Sequence, residues 1–223
     1  METGLRNMMK RKIRVDLARI GFFYSDDVSA TRKEQILARK NAIYQYRNQL
    51  LSQQLECEIT NDHFDKTAHG KPYLNTLKQL HLNHSHSQHF YVLATSNYVA
   101  DIGVDIEELE RKVRFEALAK HAFHPEEYQI WLDLECDPNY WFRVWTTKEA
   151  ILKASGLGIR MSMNELNTGL HRLHHGGMCE HEKLGVFAYQ NYYIQGCILS
   201  VAWRAEQSCR GFSLPEIEII QHS

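Results

Sequence analysis

The chain has 223 residues, of which 43% are hydrophobic and 24% charged, with a formal net charge of -1. This is enough apolar content to bury a core in one large domain or two packed halves. The near-neutral balance offers no general attraction to nucleic acid or an anionic membrane, so an anionic ligand would have to be met by a local basic cluster.

Cys57, Cys136, Cys179, Cys197 and Cys209 show no CxxC spacing. A zinc finger or disulfide framework is therefore not supported, and a reducing compartment fits best. The start carries Lys10, Arg11, Lys12 and Arg14, but no apolar segment of signal-peptide length follows. No run reaches the roughly 18 apolar residues of a membrane helix. A soluble, cytoplasmic protein is expected, and the absence of short repeats disfavours a solenoid.

The first predicted element is a long helix from Ser29 to Leu55, capped by Ser29 or Thr31. Ile36, Ile43, Tyr44, Leu50 and Leu51 recur in it at roughly helical spacing. Arg39 and Arg47 lie about two turns apart, so both can project from one face. Gly70-Lys71-Pro72-Tyr73 reads as a turn into an extended segment. Phe90 to Ala94 and Ile102 to Glu107 are short apolar runs, expected to pair as a hairpin.

Helical signals dominate from about Val113. His124-Pro125-Glu126-Glu127 starts one helix, with proline first and acids in the first turn. Asp137-Pro138 starts the next, which runs through Trp141, Val144, Trp145 and Ile151 to Gly156 or Gly158. Gly185 to Tyr189 and Tyr192 to Arg204 read as two late strands, and the tail from Gln207 to Ser223 carries no interpretable motif. Each half then holds helices followed by hairpin strands. The expected class is an α+β pseudo-duplication, residues 1–102 and 103–223, with its seam near Gly103.

Asp105 and Glu107 sit two apart on a predicted strand, so both carboxylates face one side and can share a cation. A hard dication needs further oxygen ligands, such as water and substrate phosphate, and Glu149 on the later helix can add a third carboxylate. The alternative is a solvated strand end beside Glu108 and Glu110. Glu149 and Lys153, four apart, also read as an ordinary helical ion pair worth roughly 0.2–0.5 kcal/mol, and Thr146 with Glu149 as a capping box. Helical spacing already established from Trp141 argues against the box.

His84, His86 and His89 cluster within Asn83-His84-Ser85-His86-Ser87-Gln88-His89. Zinc is poorly served, because in an extended segment His84 and His86 share a face that His89 does not. Ser85 and His86 can instead converge hydroxyl, imidazole and backbone donors on a phosphate, or the stretch is simply a histidine-rich loop. Arg39, Arg47 and Lys71 can supply the basic cluster or form a solvated face. Trp131, Trp141 and Trp145 are expected in the core.

Read together, four segments occur in order: Gly70-Lys71-Pro72-Tyr73-Leu74, Leu82-Asn83-His84-Ser85-His86-Ser87, Gly103-Val104-Asp105-Ile106-Glu107, and Trp145 through Lys148-Glu149 and Lys153 to Gly156. They resemble the ordered motifs of the surfactin-synthetase-type phosphopantetheinyl transferases, and Phe123-His124-Pro125-Glu126-Glu127 resembles the stretch between that family's second and third motifs. The resemblance covers roughly Arg39 to Gly158, and Ser200-Val201-Ala202 fits the last core strand. It implies two similar α+β halves related by a pseudo-twofold, with coenzyme A in the cleft between them and a monomeric enzyme.

By motif position, the resemblance makes Asp105, Glu107 and Glu149 the Mg2+ ligands. His86 corresponds to the histidine on the coenzyme A phosphates, Lys153 to the lysine near the reacting phosphate, and Lys71 to a coenzyme A-binding lysine. Arg39 and Arg47 match helix arginines near the nucleotide by spacing, and Arg32 or Lys33 is the candidate for its 3′-phosphate. Leu82 and His84 depart from the residues the family commonly carries. The implied reaction moves 4'-phosphopantetheine from coenzyme A to a serine of an apo acyl or peptidyl carrier protein. Glu149 is expected to serve as base, directly or through a metal-bound water, or as metal ligand alone, and a docking surface is expected between Phe115 and Trp131. The competing readings are another magnesium-dependent phosphate ester or anhydride hydrolase and a non-catalytic binding module.

Overall fold

The computed structural model describes residues 11–157, 161–205, 207–208, 211–212 and 214–222. Expectations placed on Lys10, Gly158 and Cys209 lie outside the described residues.

Alternating Ile13, Val15 and Leu17, all buried, build β1 (Lys12–Arg19). The long helix α1 (Arg32–Leu55) follows, and Thr31 caps it in a reciprocal capping box with Glu34. Short strands β2 (Phe64–Lys66) and β3 (Pro72–Leu74) pair beside the expected Gly70 turn, where Gly70 has φ +88°. Then come β4 (His81–His86), β5 (Phe90–Ser96) and β6 (Gly103–Glu108).

The helical stretch is α2 (Phe115–Ala122), α3 (Pro125–Asp133) and α4 (Pro138–Ser155). Strands β7 (Gly176–His181), β8 (Gly185–Ile194) and β9 (Cys197–Arg204) follow. The chain continues through the two-residue strands β10 (Gln207–Ser208) and β11 (Gly211–Phe212) to β12 (Glu216–His222).

The main strands form two four-stranded sheets, ordered β12-β1-β5-β4 and β6-β9-β8-β7. The protein is thus a mixed α+β fold. A strand, a helix and an antiparallel hairpin occur twice: β1, α1, β4–β5, and then β6, α4, β8–β9. In each sheet the strand before the helix lies antiparallel to the second strand of the hairpin.

The expected hairpin between residues 90–94 and 102–107 does not form. β5 is buried along its whole length, so its backbone groups on both edges need protein partners. It obtains them from β1 and β4, while β6 crosses to the other sheet and pairs with β9. Alternate residues of β5 serve different layers: Tyr91 and Leu93 pack under α1 against Ile43 and Leu51, while Phe90, Val92 and Ala94 face Val104, Ile106 and Val201. Each such fully buried side chain contributes roughly 1.5–3 kcal/mol.

The late strands also differ in register. Tyr192 to Ile194 belong to β8, and Gln195 and Gly196, with φ +50° and +77°, make the turn into β9. The tail read as featureless contains β12, which lies parallel to β1 with Lys12 opposite Glu216. A third apolar cluster packs α2, α3 and α4 on Phe187, Tyr189, Ile198 and Ala202, and Trp131 and Trp141 lie inside it as expected.

Candidate active site

The place of the site follows from how closely α4 lies on β6. Asp137 caps α4 through its carboxylate, Pro138 opens it, and Gly156 ends it with φ +72°. A Cβ at Gly103 would meet Ala150 O at 2.0 Å and Ala154 N at 2.5 Å, so only glycine lets this helix sit against the strand start. That approach delivers Glu149 and Lys153 to the strand carrying Asp105 and Glu107. Thr146 donates to Phe142 O within the helix, so it is an interior residue and not a cap.

Asp105 is 5% exposed, which removes the solvated-strand-end reading. Its Oδ1 accepts from Ser85 Oγ at 2.8 Å and from Lys153 Nζ at 2.7 Å, and Lys153 also donates to Ser85 at 2.7 Å. Lys153 is thereby paired to Asp105, and the alternative reading of an i,i+4 pair with Glu149 is not the arrangement found. Asp105 Oδ2 is buried with no hydrogen-bond partner, an uncompensated acceptor in a low-dielectric place.

Glu107 and Glu149 are both partly buried. Burial raises the Glu149 carboxyl above its ordinary range, and the charges of Asp105 and Glu107 raise it further against the opposing pull of Lys153. Burial likewise raises Glu107, with Asp105 adding to the shift and Arg111, its ion-pair partner, opposing it. The charge of Asp105 thus reaches both glutamates. Among the described residues no three His, Cys, Asp or Glu side chains stand in ready-made metal coordination, at the histidines or elsewhere.

The donor set nevertheless suits a hard dication. It offers carboxylate oxygens only, one of them buried and unpartnered, in a cluster whose negative charge is incompletely compensated. Magnesium takes few protein ligands and completes its shell with water and phosphate. A tight cage of three acids is not required.

His86 ends β4 at the rim. Partial burial, with Arg39 and Lys153 nearby, holds its imidazole below the ordinary range. It shares with Arg39, Glu107 and Arg111 the wall of a cavity of about 550 Å³. A neighbouring cavity of about 310 Å³ is lined by Ile36, Arg39, Lys40, Ile43, Tyr44, His84 and His86. A third, of about 200 Å³, runs from His84 to Lys71, Lys153 and Gly156. Shared walls make the three adjoin one another. Arg32 and Lys33 lie exposed in the first turn of α1.

Two of the expected ligand-binding cations are engaged inside the protein. Arg47 is 4% exposed, its guanidinium 3.5 Å over the Phe64 ring and bonded to Asn48 and Asn61, so it does not face these cavities beside Arg39. Lys71 donates to Ile102 O at 3.2 Å and Ala154 O at 2.8 Å, tying the entry of β6 to the end of α4. Burial lowers its ammonium to about 8.

Three contributors escaped sequence reasoning. Asn83 Oδ1 accepts from Val104 N at 3.0 Å and stitches β4 to β6 across the two sheets. Glu108 and Ser87 bond to each other at 2.6 Å. Asn83 and Ser87 flank the histidine in a quoted motif, so alternation along β4 was the available signal for Asn83, which shares a face with Ser85.

Residues 101–195, spanning β6 through β8, match the model of the 4'-phosphopantetheinyl transferase superfamily. The chain is thus similar to that superfamily over this segment. It is similar to the 4'-phosphopantetheinyl transferase HetI of Nostoc, 37% identical over 150 residues, covering 60% of this chain and 63% of HetI. Gsp of Aneurinibacillus migulanus, also a 4'-phosphopantetheinyl transferase, is 32% identical, with 64% of this chain and 62% of the relative covered. Sfp of Bacillus subtilis, of the same description, is 26% identical over 68% of this chain and 62% of its own length. The match thus spans under two thirds of each of these relatives. Among solved structures, the holo-[acyl-carrier-protein] synthase of Thermotoga maritima aligns with 55% of this chain and 99% of its own, at a TM-score of 0.37 and 16% identity.

Proposed function

We propose that the protein transfers the 4'-phosphopantetheine group of coenzyme A to a serine of an apo acyl or peptidyl carrier protein, releasing adenosine 3',5'-bisphosphate. The observation that carries this reading is the cluster at the β4, β6 and α4 junction. There Ser85 and Lys153 converge on Asp105, whose second oxygen is buried and unpartnered, with Glu107 and Glu149 close enough to feel its charge.

In this proposal Asp105, Glu107 and Glu149 hold Mg2+. The bound ion would neutralise negative charge on the diphosphate of coenzyme A. Lys153 and His86 grip the diphosphate oxygens, and Ser85, bonded to Lys153, fixes the direction of that ammonium. Arg39, at the wall between two adjoining cavities, binds toward the nucleotide. Arg47 and Lys71 act indirectly, by fixing α1 and α4.

The carrier serine Oγ attacks the phosphorus that bears pantetheine. A new P–O bond forms, the P–O bond to the bisphosphate breaks, and its electron pair leaves with adenosine 3',5'-bisphosphate. Glu149 receives the serine proton, directly or through a water, as general base. The repeated strand–helix–hairpin order supports a further part of the proposal: residues 1–102 and 103–223 are pseudo-twofold halves, with β12 crossing back to the first, and the cleft between them is the active site. The carrier docks along α2 and α3, and the enzyme works as a cytoplasmic monomer. Among the described residues no helix is long and apolar enough to cross a membrane.

The test mixes the protein with coenzyme A, Mg2+ and an apo carrier protein. A carrier mass gain of about 340 Da, one phosphopantetheine, is the expected result. Release of nucleotide or phosphate with an unmodified carrier would reassign the site to a hydrolase, and no turnover at all would leave a binding module.

A further inference from the structure

Strand β6 addresses two places at once. Asp105 and Glu107 face one side, and Glu108, the next residue and the last of the strand, faces the other. Glu108 Oε1 accepts from Ser87 Oγ at 2.6 Å and from His89 N at 2.7 Å, while its Oε2 lies 2.6 Å from His89 Nδ1. One carboxylate therefore binds three donors of the turn between β4 and β5.

The other side of the same turn is held by α1. Arg39 Nη2 donates to Ser87 O at 2.9 Å and to Gln88 O at 2.5 Å. The turn is closed internally by Ser87 N on Phe90 O at 2.9 Å. His86 stands immediately before it and opens onto the cavity that Glu107 and Glu108 also line.

A free carboxylate on that wall would repel an anionic ligand. Both oxygens of Glu108 are instead consumed by donors, which suits neither a metal ligand nor a base. We propose that Glu108 is a positioning residue for coenzyme A binding: from the strand that carries two of the acids, it fixes the Ser87–His89 turn and with it the imidazole of His86. The inference rests on the transferase reading and adds to it a residue whose task is orientation across the two sheets. Glu108 would set affinity for the diphosphate end of coenzyme A and leave the chemical step to others.

The test compares Glu108→Ala with Glu108→Gln, whose amide oxygen retains an acceptor for Ser87 and His89. Ala should raise the KM for coenzyme A about tenfold with kcat within about twofold, and Gln should recover most of the loss. Carrier KM and melting temperature should stay near the wild type. An Ala variant with unchanged KM for coenzyme A, or one whose loss falls equally on carrier KM and thermal stability, overturns the proposal. Amide exchange at His89 and Phe90 in the protein alone gives an independent readout. If the wild type proves to transfer nothing, the functional reading fails separately; faster exchange in Glu108→Ala still sustains the clamp, and unchanged exchange sinks it.

Discussion

Helix α4 carries two lysine–carboxylate pairs, five residues apart, built to opposite designs. Lys148 meets Glu127 at 2.7 Å with both side chains at most 1% exposed. Every oxygen of Glu127 is engaged, Oε1 by Thr168 N and Oγ1 and Oε2 by His124 N and Lys148, and Lys148 also donates to Met163 O and Leu166 O. Lys153 meets Asp105 at the same distance, but the lysine is 28% exposed and one oxygen of the aspartate has no partner. The sealed pair is a strut between α3, α4 and the 163–168 segment. The open pair retains binding capacity, and that spare capacity is what marks a site for an incoming group.

Breaking each pair should separate the two roles. Lys148→Ala leaves Glu127 charged and buried, which should cost about 3–5 kcal/mol, readable as a large drop in the denaturant midpoint. Lys153→Ala should lower the midpoint less than Lys148→Ala does, because that lysine is partly exposed, while abolishing most transfer to a carrier. Equal midpoints for the two variants would erase the distinction drawn above.

On the open side, Glu149→Gln should lower turnover by about 10²–10⁴-fold with little change in coenzyme A affinity, measured by calorimetry beside steady-state rates. Wild-type turnover in that variant would exclude Glu149 as the base. Gly103→Ala probes the contact that brings Glu149 and Lys153 to β6. The added carbon overlaps helix backbone, so α4 must move, at an expected cost of about 1–3 kcal/mol with activity falling further than stability.

The smallest effect expected is chemical. Burial pushes the Cys179 thiol up to about 12, and it lies within reach of the charges of Glu127 and Lys148. Cys57 and Cys136 are exposed. Alkylation near pH 8 followed by mass mapping should therefore mark Cys57 and Cys136 and spare Cys179, until Lys148→Ala loosens the region. Rapid wild-type labelling of Cys179 would show that the strut is not sealed.

Much of the helical part was legible because its signals are local. Thr31 with Glu34, Pro125 after His124, Pro138 after Asp137, and Gly156 each declare a boundary within a few residues. Sheet order was not legible, since it depends on partners far away in the chain. Phe90–Ala94 and Ile102–Glu107 are neighbours in sequence, yet they pair with β1, β4 and β9. β1 itself offered a period of two at Ile13, Val15 and Leu17, obscured by the basic residues around it. At the site, the order of the motifs singled out Asp105, Ser85 and Lys153, which the fold brings together. Arg47 was misleading: helical spacing gives the face a residue occupies, but Phe64, which draws the guanidinium inward, comes from a strand outside that helix.

The parallel pairing of β12 with β1 has a bearing on how the molecule can be made or divided. During synthesis β1 emerges before both hairpins, but the strand that completes its outer edge emerges after them. Until then that edge offers unpaired amides and carbonyls to any passing strand. A fragment ending before β6 would carry the same open edge permanently, so the first strand–helix–hairpin repeat is not a separable module.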